Sequence, residues 1–149
     1  MSYKIPVSVL VVVHTAELDV LLMERAGRPG YWQSVTGSID RPDEPLERAA
    51  ARELEEETGI NVSAGALARR EVVNVFEIYR HWRHRFAPGV LYNREHVFGF
   101  RLARRADVRL AADEHTAFAW LPWQEAAERC FSWTNRDAIR MLGEGAVLI

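Results

Sequence analysis

Apolar and polar positions along the chain follow the two-residue period of strands in some segments and the helical period in others. Residues 5–13, IPVSVLVVV, are β-branched and almost continuously apolar, which predicts a central strand buried on both faces. Shorter extended segments are predicted at residues 20–25 and 31–35. Residues 70–86 and 94–103 alternate, and we predict two long strands joined by a turn.

Helices are predicted in the middle of the chain and towards its C-terminal end. Residues 45–58, PLERAAARELEEET, are rich in helix formers, begin with a proline and stop at Gly59. Residues 121–130 predict a helix that starts after a proline, and residues 134–142 predict another that is capped by a Thr or an Asn. With no repeat and no linker, the pattern predicts an α/β (α+β) fold in one domain, residues 1–149, whose mixed sheet packs against helices.

Composition and charge narrow the partners and the compartment. The formal net charge of -2 shows no basic excess, so charge does not predict binding to nucleic acid or to an anionic membrane. The single cysteine, Cys130, cannot form an internal disulfide, and the N-terminal residues lack a signal-peptide cleavage site. No apolar stretch approaches the roughly 20 residues that cross a bilayer. We therefore expect a cytoplasmic protein.

The central predicted helix carries an unusual concentration of glutamates. At about 100° per residue, Glu53, Glu56 and Glu57 share one face, whereas Glu55 points away from it. A glutamate-rich helix is ordinarily a solvated acidic face, but like charges at these spacings repel by a few tenths of a kcal/mol per pair. A divalent cation would offset that repulsion, because Mg²⁺ binds carboxylate oxygens and bridges them to substrate phosphates.

The segment RELEEETGI, residues 52–60, resembles the end of the Nudix box, and Gly37 and Glu44 resemble its upstream glycine and acidic residue. The interval from Gly37 to Glu44 is one residue longer than the family's usual pattern. It is therefore open whether Glu44 or Asp43 is the first acidic residue, and whether the Gly37 carbonyl reaches a metal. The resemblance implies a Nudix fold, with a mixed sheet between helices, and water attack on phosphorus assisted by Mg²⁺ or Mn²⁺.

The resemblance also assigns roles to residues of the box. It implies that Glu53, Glu56 and Glu57 are metal ligands together with Gly37, and that Arg52 orients Glu53. Either Glu53 or Glu56 is the candidate general base. A further metal ligand, delivered from a loop, is implied at Glu114 in DEHTAFAWL.

Segments outside the box resemble the dihydroneopterin triphosphate pyrophosphatase branch of the Nudix family. They span most of the chain and are PVSVLVVVH, YWQSVTGSI, FEIYRHWRHRFAPGV, DEHTAFAWL and SWTNRDAI. The resemblance implies hydrolysis of dihydroneopterin triphosphate, a small-molecule substrate in folate synthesis, to the monophosphate and pyrophosphate. The implied substrate contacts are Lys4, Arg25, Thr36, Phe76, Glu77, Ile78, Tyr79 and Ser132.

Within that set, Lys4 and Arg25 resemble phosphate contacts, and residues 76–79 resemble the wall of a pterin pocket. Aromatic and aliphatic side chains suit a planar heterocycle, and the Glu77 carboxylate can accept two N–H bonds from a 2-aminopyrimidinone edge. Plain packing in the sheet is the ordinary interpretation of the same aromatic residues.

Two alternatives use the same helix. A broader nucleoside triphosphate pyrophosphatase would not need the FEIY and SWTNRD segments. A non-catalytic Nudix module that binds a nucleotide or a protein partner is disfavoured, because Arg52 and all three glutamates of the helix face are present. An RNA-binding strip at Arg80, Arg83 and Arg85 is disfavoured by the acidic net charge. The oligomeric state is open, and a monomer is compatible with the sequence.

Overall fold

The β-branched segment near the N-terminus forms the central strand of a mixed sheet, in a computed structural model that describes residues 2–145. The strands are β1 Val7–Thr15, β2 Asp19–Arg25, β3 Trp32–Gln33, β4 Val35–Ser38, β5 Ala66–Glu77, β6 Tyr92–Leu102 and β7 His115–Pro122. The helices are α1 Leu46–Thr58, α2 Trp123–Arg129 and α3 Trp133–Glu144, with short 3₁₀ helices at Val62–Ala64 and Arg80–Arg85.

The seven strands form one sheet in the order β3-β2-β1-β6-β5, in which β4 also pairs with β1 and β7 with β2. The β1–β6 pair is parallel, and the other strand pairs are antiparallel. Because β1 is central and covered on both faces, its sequence is apolar throughout rather than alternating. The predicted mixed sheet with helices on its faces is confirmed.

Successive residues of β1 point to opposite faces of the sheet. Val9, Val11 and Val13 pack in one core with α1. Leu10 and Val12 pack in a second core with α2 and α3. Helix α1 therefore lies on one face of the sheet, and the two C-terminal helices lie on the other.

The boundaries of α1 follow the sequence signals. Pro45 precedes its first residue, and Gly59 follows its last with a left-handed φ of 74°, so that its N–H donates to the Glu55 carbonyl at 2.9 Å. Ala50 and Leu54 are fully buried against the sheet. The acidic face of the helix is thereby held at one orientation relative to the strands.

The prediction of a strand over residues 70–86 is wrong in its second half. Strand β5 ends at Glu77, and Arg80–Arg85 form a 3₁₀ helix. The Arg83 Nε donates to the Ile78 carbonyl at 3.0 Å, and the Trp82 ring packs edge-on against Tyr31 at 6.3 Å between centroids. Alternation of aromatic and basic residues suits either conformation, and these tertiary contacts select the helical turn.

Three smaller differences separate the predicted and observed elements. The cap of α3 is Ser132, whose oxygen accepts from the Asn135 N–H, rather than the predicted Thr134 or Asn135. The extended segment 31–35 is divided between β3 and β4, because the Ser34 N–H donates to the Asn135 side chain at 2.8 Å. Strand β7 was not among the predicted elements. Within residues 2–145, no helix is long and apolar enough to cross a membrane.

Replacing Leu54 by alanine should destabilise the protein by about 2–5 kcal/mol, because a fully buried leucine between α1 and the sheet would leave a cavity. The exposed neighbour Glu55 provides the matched control, for which Glu55→Ala should change the free energy of unfolding by about 0.5 kcal/mol or less. Urea unfolding followed by circular dichroism measures both values. Equal effects of the two substitutions would contradict the packing described for α1.

Candidate active site

The acidic face of α1 is largely turned into the protein rather than towards solvent. Glu53 and Glu57 are only 8% and 2% exposed, although glutamates are seldom buried in proteins. Glu56 stays accessible, and Glu55 is exposed on the opposite side of the helix, as predicted. The structure therefore brings two of the predicted metal ligands into a buried position at the sheet edge.

Arg52 is the centre of an ion-pair network around these carboxylates. Its Nε and Nη2 donate to the two oxygens of Glu44 at 3.0 and 3.1 Å. Its Nη1 lies 3.4 Å from Glu53 Oε2 and 3.3 Å from Glu56 Oε2, and Nη2 also donates to the Ser38 carbonyl at 3.2 Å. The predicted contact between Arg52 and Glu53 is present, as one of several.

The question left open between Glu44 and Asp43 has a structural answer. The Glu44 side chain is buried, receives the Asp40 N–H at 2.7 Å, and has its pKa lowered by the hydrogen bonds from Arg52. The Asp43 side chain is 82% exposed and pairs with Arg41. Glu44 is thus the acidic residue that anchors Arg52, and the longer loop is accommodated before it.

Gly37 and Thr36 present opposite faces of β4. Gly37 is paired with Val9 and faces the α1 side, where a Cβ atom would lie 1.8 Å from Glu53 Oε2. Thr36 is paired with Leu10 and faces the α3 side, and its hydroxyl donates to the Val9 carbonyl at 3.1 Å. Only a glycine at position 37 allows the Glu53 carboxylate to pack this closely on the strand.

Burial raises the pKa of both Glu53 and Glu57 above the ordinary value of 4.5. For Glu57 the negative charges of Glu53 and Glu114 add to that effect, while the Thr36 N–H opposes it. The Glu57 Oε1 has no hydrogen-bond partner among residues 2–145. Adjacent buried carboxylates with an unsatisfied oxygen are the hard-oxygen donor set that a divalent cation requires, so these residues fit such a metal.

Glu114 approaches the same region from the turn before β7. The Glu114 N–H donates to the Ala111 carbonyl, and the Ala26 N–H donates to the Glu114 carbonyl at 2.8 Å.

A cavity of about 380 Å³, the acidic cavity, is lined by Ser2, Tyr3, Lys4, Ile5, Ser38, Ile39, Asp40, Arg52, Glu53, Glu56 and Glu114. Among the described residues, no three His, Cys, Asp or Glu side chains converge closely enough to hold a metal ion by themselves. A bound Mg²⁺ would therefore need waters or substrate phosphates to complete its coordination here, and Mg²⁺ ordinarily keeps such ligands.

A second cavity of about 290 Å³, the aromatic cavity, adjoins the acidic one, and Lys4 and Ser38 line both. It opens on the α3 side of the sheet. All eight residues predicted as substrate contacts line it: Lys4, Arg25, Thr36, Phe76, Glu77, Ile78, Tyr79 and Ser132.

Two of the basic residues that line the aromatic cavity are Lys4, which is exposed and also lines the acidic cavity, and Arg25, which is half-buried. Partial desolvation lowers the pKa of Lys4, while the charges of Glu53 and Glu114 raise it. Burial also lowers the pKa of Arg25, whose guanidinium lies 4.4 Å from the centroid of the Trp82 ring. These cations lie where a phosphate chain entering from the aromatic cavity would meet the acidic one.

Some lining residues were not found by sequence reasoning: Ser8, Trp82, Phe86, Asn93, Glu95, Phe131 and Asn135. Trp82 and Phe131 were hidden by the wrong strand prediction and by their distance along the chain. Asn93 and Glu95 did leave a signal, because they are polar residues two apart in YNREHVFGF, a strand that is otherwise buried on that side.

Three comparisons relate this chain to known proteins. The family model of the NUDIX domain matches residues 4–142. The chain is 42% identical over 140 residues to the dihydroneopterin triphosphate diphosphatase of Escherichia coli (strain K12), which covers 92% of this chain and 91% of that protein. It is 36% identical over 144 residues to the protein of the same name from Haemophilus influenzae, with 94% and 89% covered. The solved structure of the E. coli dihydroneopterin triphosphate pyrophosphohydrolase matches with a TM-score of 0.88 at 40% identity, covering 95% of this chain and 97% of that one.

Replacing Gly37 by alanine should leave the fold intact but displace the Glu53 carboxylate, because the added methyl group would overlap its oxygen. We expect metal-dependent triphosphate hydrolysis to fall about 100-fold or more, as for other ångström-scale misplacements of reacting groups. Steady-state kinetics measure this. Glu55→Ala, an exposed substitution on the opposite face of α1, is the control and should leave the activity unchanged. Activity retained in Gly37→Ala would contradict the proposed close packing.

Replacing Glu57 by glutamine should remove both metal binding and a pH-dependent cost. Because the folded pKa is raised, the contribution of Glu57 to stability is present below the unfolded value of about 4.5 and is lost as pH rises through the folded value. Without metal, Glu57→Gln should therefore melt higher than the wild type at pH 8 but not at pH 4. Added Mg²⁺ at pH 8 should raise the melting temperature of the wild type and leave that of the variant nearly unchanged. Equal responses to Mg²⁺ would remove Glu57 from the ligand set.

Proposed function

The chain belongs to the Nudix hydrolase family, and on that premise we propose that it hydrolyses dihydroneopterin triphosphate to dihydroneopterin monophosphate and pyrophosphate. The observation that carries the proposal is the pair of adjoining cavities, one acidic and one aromatic, which share Lys4 and Ser38. A triphosphate with a planar heterocycle has the matching division into an anionic and an aromatic part. The similarity to two proteins named for this activity supports the same substrate.

Nudix hydrolases generally use divalent metal ions, and for this chain we propose Mg²⁺, with Mn²⁺ as a possible substitute. The ligands would be Glu53, Glu56, Glu57 and Glu114 with the Gly37 carbonyl. When bound, the metal would neutralise charge on the phosphate chain and acidify a water molecule. The orphaned Glu57 oxygen and the raised pKa values of Glu53 and Glu57 support this ligand set.

The protein's own groups have separate tasks in the proposed reaction. Lys4 and Arg25 bind the phosphate chain and bring it to the acidic cavity. Either Glu53 or Glu56 accepts the proton of the attacking water, and both line that cavity. Arg52 holds these two carboxylates in place through its anchor on Glu44.

The remaining substrate contacts belong to the heterocycle in this proposal. Phe76, Ile78 and Tyr79 form the apolar wall of the aromatic cavity, and Glu77 lines the cavity beside them. Thr36 and Ser132 lie at its polar border, although the Ser132 oxygen already accepts from the Asn135 side chain at 2.7 Å. The aromatic surroundings favour a flat ring system, which would bury its faces there.

We also propose a small-molecule partner and a cytoplasmic location. The substrate is a small molecule rather than a nucleic acid, in keeping with the acidic net charge of -2. The free, buried thiol of Cys130 suits the reducing cytoplasm. A monomer contains the complete set of proposed site residues.

The function is tested by measuring kcat/KM with Mg²⁺ for dihydroneopterin triphosphate beside a panel of nucleoside triphosphates, with pyrophosphate and single phosphate scored separately. We expect a preference for the pterin substrate of at least about tenfold, equivalent to ~1.4 kcal/mol in the transition state, with release of pyrophosphate. Glu56→Gln and Glu57→Gln should each lose most of this turnover, and Glu55→Gln, on the opposite helix face, should retain it.

Other outcomes identify the alternatives. Equal or better turnover of a nucleotide would replace the proposal with a broader nucleoside triphosphate pyrophosphatase. No turnover of any substrate would leave a binding module. Full activity in both Glu56→Gln and Glu57→Gln would reject the metal assignment.

A further inference from the structure

The inner end of the aromatic cavity is formed by polar residues of the sheet. Asn93 and Glu95 are two residues apart on β6, so both side chains point to the same face, which is the α3 side. Their neighbours across the sheet are Phe76, paired with Asn93, and Ser8, paired with Glu95. An aromatic wall therefore stands directly beside two polar groups.

Both side chains hold a buried acceptor that no other residue of the described range 2–145 uses. Glu95 is 3% exposed and Asn93 is 5% exposed. Glu95 Oε1 and Asn93 Oδ1 have no hydrogen-bond partner within the described part of the chain, whereas the Asn93 Nδ2 donates to Ser8 Oγ at 2.7 Å. A buried acceptor without a partner is destabilising, so two of them in one cavity point to a ligand that donates hydrogen bonds.

Three other polar groups around the cavity are already engaged. The Ser132 oxygen accepts from the Asn135 amide, the Asn135 oxygen accepts from the Ser34 N–H, and the Thr36 hydroxyl donates to the Val9 carbonyl. The free acceptors of Asn93 and Glu95 are thus the groups of the inner cavity that are available to read a ligand edge.

Glu77, which the sequence predicts as the acceptor for the N–H groups of the heterocycle edge, is less suited to that role. Its side chain is 62% exposed and forms an ion pair with Arg83 at the rim of the cavity. A carboxylate that is exposed and already paired discriminates weakly between ligands, since water competes for its oxygens. The buried Glu95 carboxylate is free of that competition.

We propose that Glu95, together with Asn93, binds the edge of the pterin that carries the ring N–H and the 2-amino group, and that Glu95 determines specificity for this heterocycle. The inference rests on the proposed function. Two N–H donors on one edge meet two free acceptors, and the ring faces lie against Phe76 and its aromatic neighbours. A ring that lacks these donors would leave both acceptors unsatisfied, which is the basis of strong discrimination.

The electrostatic state of Glu95 agrees with this role. Burial raises its pKa to about 7, and hydrogen bonds from Thr134 and Asn74 lower it to a smaller extent. A ligand that donates N–H bonds would stabilise the ionised Glu95 carboxylate. These bonds would add to the hydrogen bonds that Thr134 and Asn74 already donate to it.

The experiment compares wild type, Glu95→Gln, Glu77→Gln and the control Glu71→Gln, which changes an exposed residue of β5 outside both cavities. Steady-state kinetics with dihydroneopterin triphosphate and Mg²⁺ give KM and kcat, and calorimetry gives the affinity for 7,8-dihydroneopterin, which has no phosphates. We expect Glu95→Gln to raise KM and to weaken 7,8-dihydroneopterin binding by about tenfold or more, with a smaller change in kcat. Glu77→Gln should have a smaller effect than Glu95→Gln, and Glu71→Gln none.

The outcomes separate this inference from the proposed function. Absence of wild-type turnover overturns the proposed function. Normal wild-type turnover, with Glu95→Gln unchanged in KM and in 7,8-dihydroneopterin binding, overturns this inference alone, as does a larger effect at Glu77. Glutamine is isosteric and uncharged, so we expect the variant to fold. If Glu95→Gln does not fold, Asn93→Ala replaces it in the test. Weaker 7,8-dihydroneopterin binding by Asn93→Ala would support the inference, and unchanged binding would contradict it.

Discussion

The burial of acidic side chains against the edge of β4 is the constraint on which the candidate site depends. Glu53 and Glu57 lie in the interface between α1 and the sheet, where carboxylates are costly to ionise. Arg52 partly offsets that cost, because its guanidinium reaches Glu53 and Glu56 while Glu44 fixes it from the other side. The hydrogen bonds that Arg52 donates to Glu44 raise the pKa of Arg52, so Arg52 stays positively charged. The remaining negative charge defines a site for cations.

The alternation of β4 connects this acidic region with the opposite face of the sheet. Gly37 and Thr36 are adjacent in sequence and both line the aromatic cavity, yet a Cβ atom at Gly37 would meet Glu53 while Thr36 faces the α3 side. One short strand at the sheet edge therefore borders both halves of the site. A ligand that passes this edge would reach the proposed metal ligands on one side and the aromatic cavity on the other.

The two halves also differ in charge, and the division matches a ligand with an anionic tail. The acidic cavity holds Glu53, Glu56 and Glu114, whereas Lys4 lines both cavities and Arg25 lines the aromatic one. The negative charges of Glu53 and Glu114 raise the pKa of Lys4, so the acidic and basic groups interact across the boundary between the cavities. Cations bound at the carboxylates and phosphates bound at the basic residues would attract and neutralise each other. The aromatic cavity then needs only a few polar groups, at its inner end, to orient a ring.

The sequence by itself determined the glutamate helix, from Pro45 to Gly59, and the common face of Glu53, Glu56 and Glu57. These features depend on helix periodicity and on capping, which act within a few residues. The central strand was also determined locally, because a continuous β-branched segment is stable only where both faces are covered. Only the tertiary structure decided that Glu44 rather than Asp43 anchors Arg52, that residues 80–85 turn into a 3₁₀ helix, and that Asn93 and Glu95 end in the aromatic cavity with free acceptors. Each of these depends on groups distant in the chain, such as Arg52, Tyr31 and Ser8, whose approach no local pattern encodes.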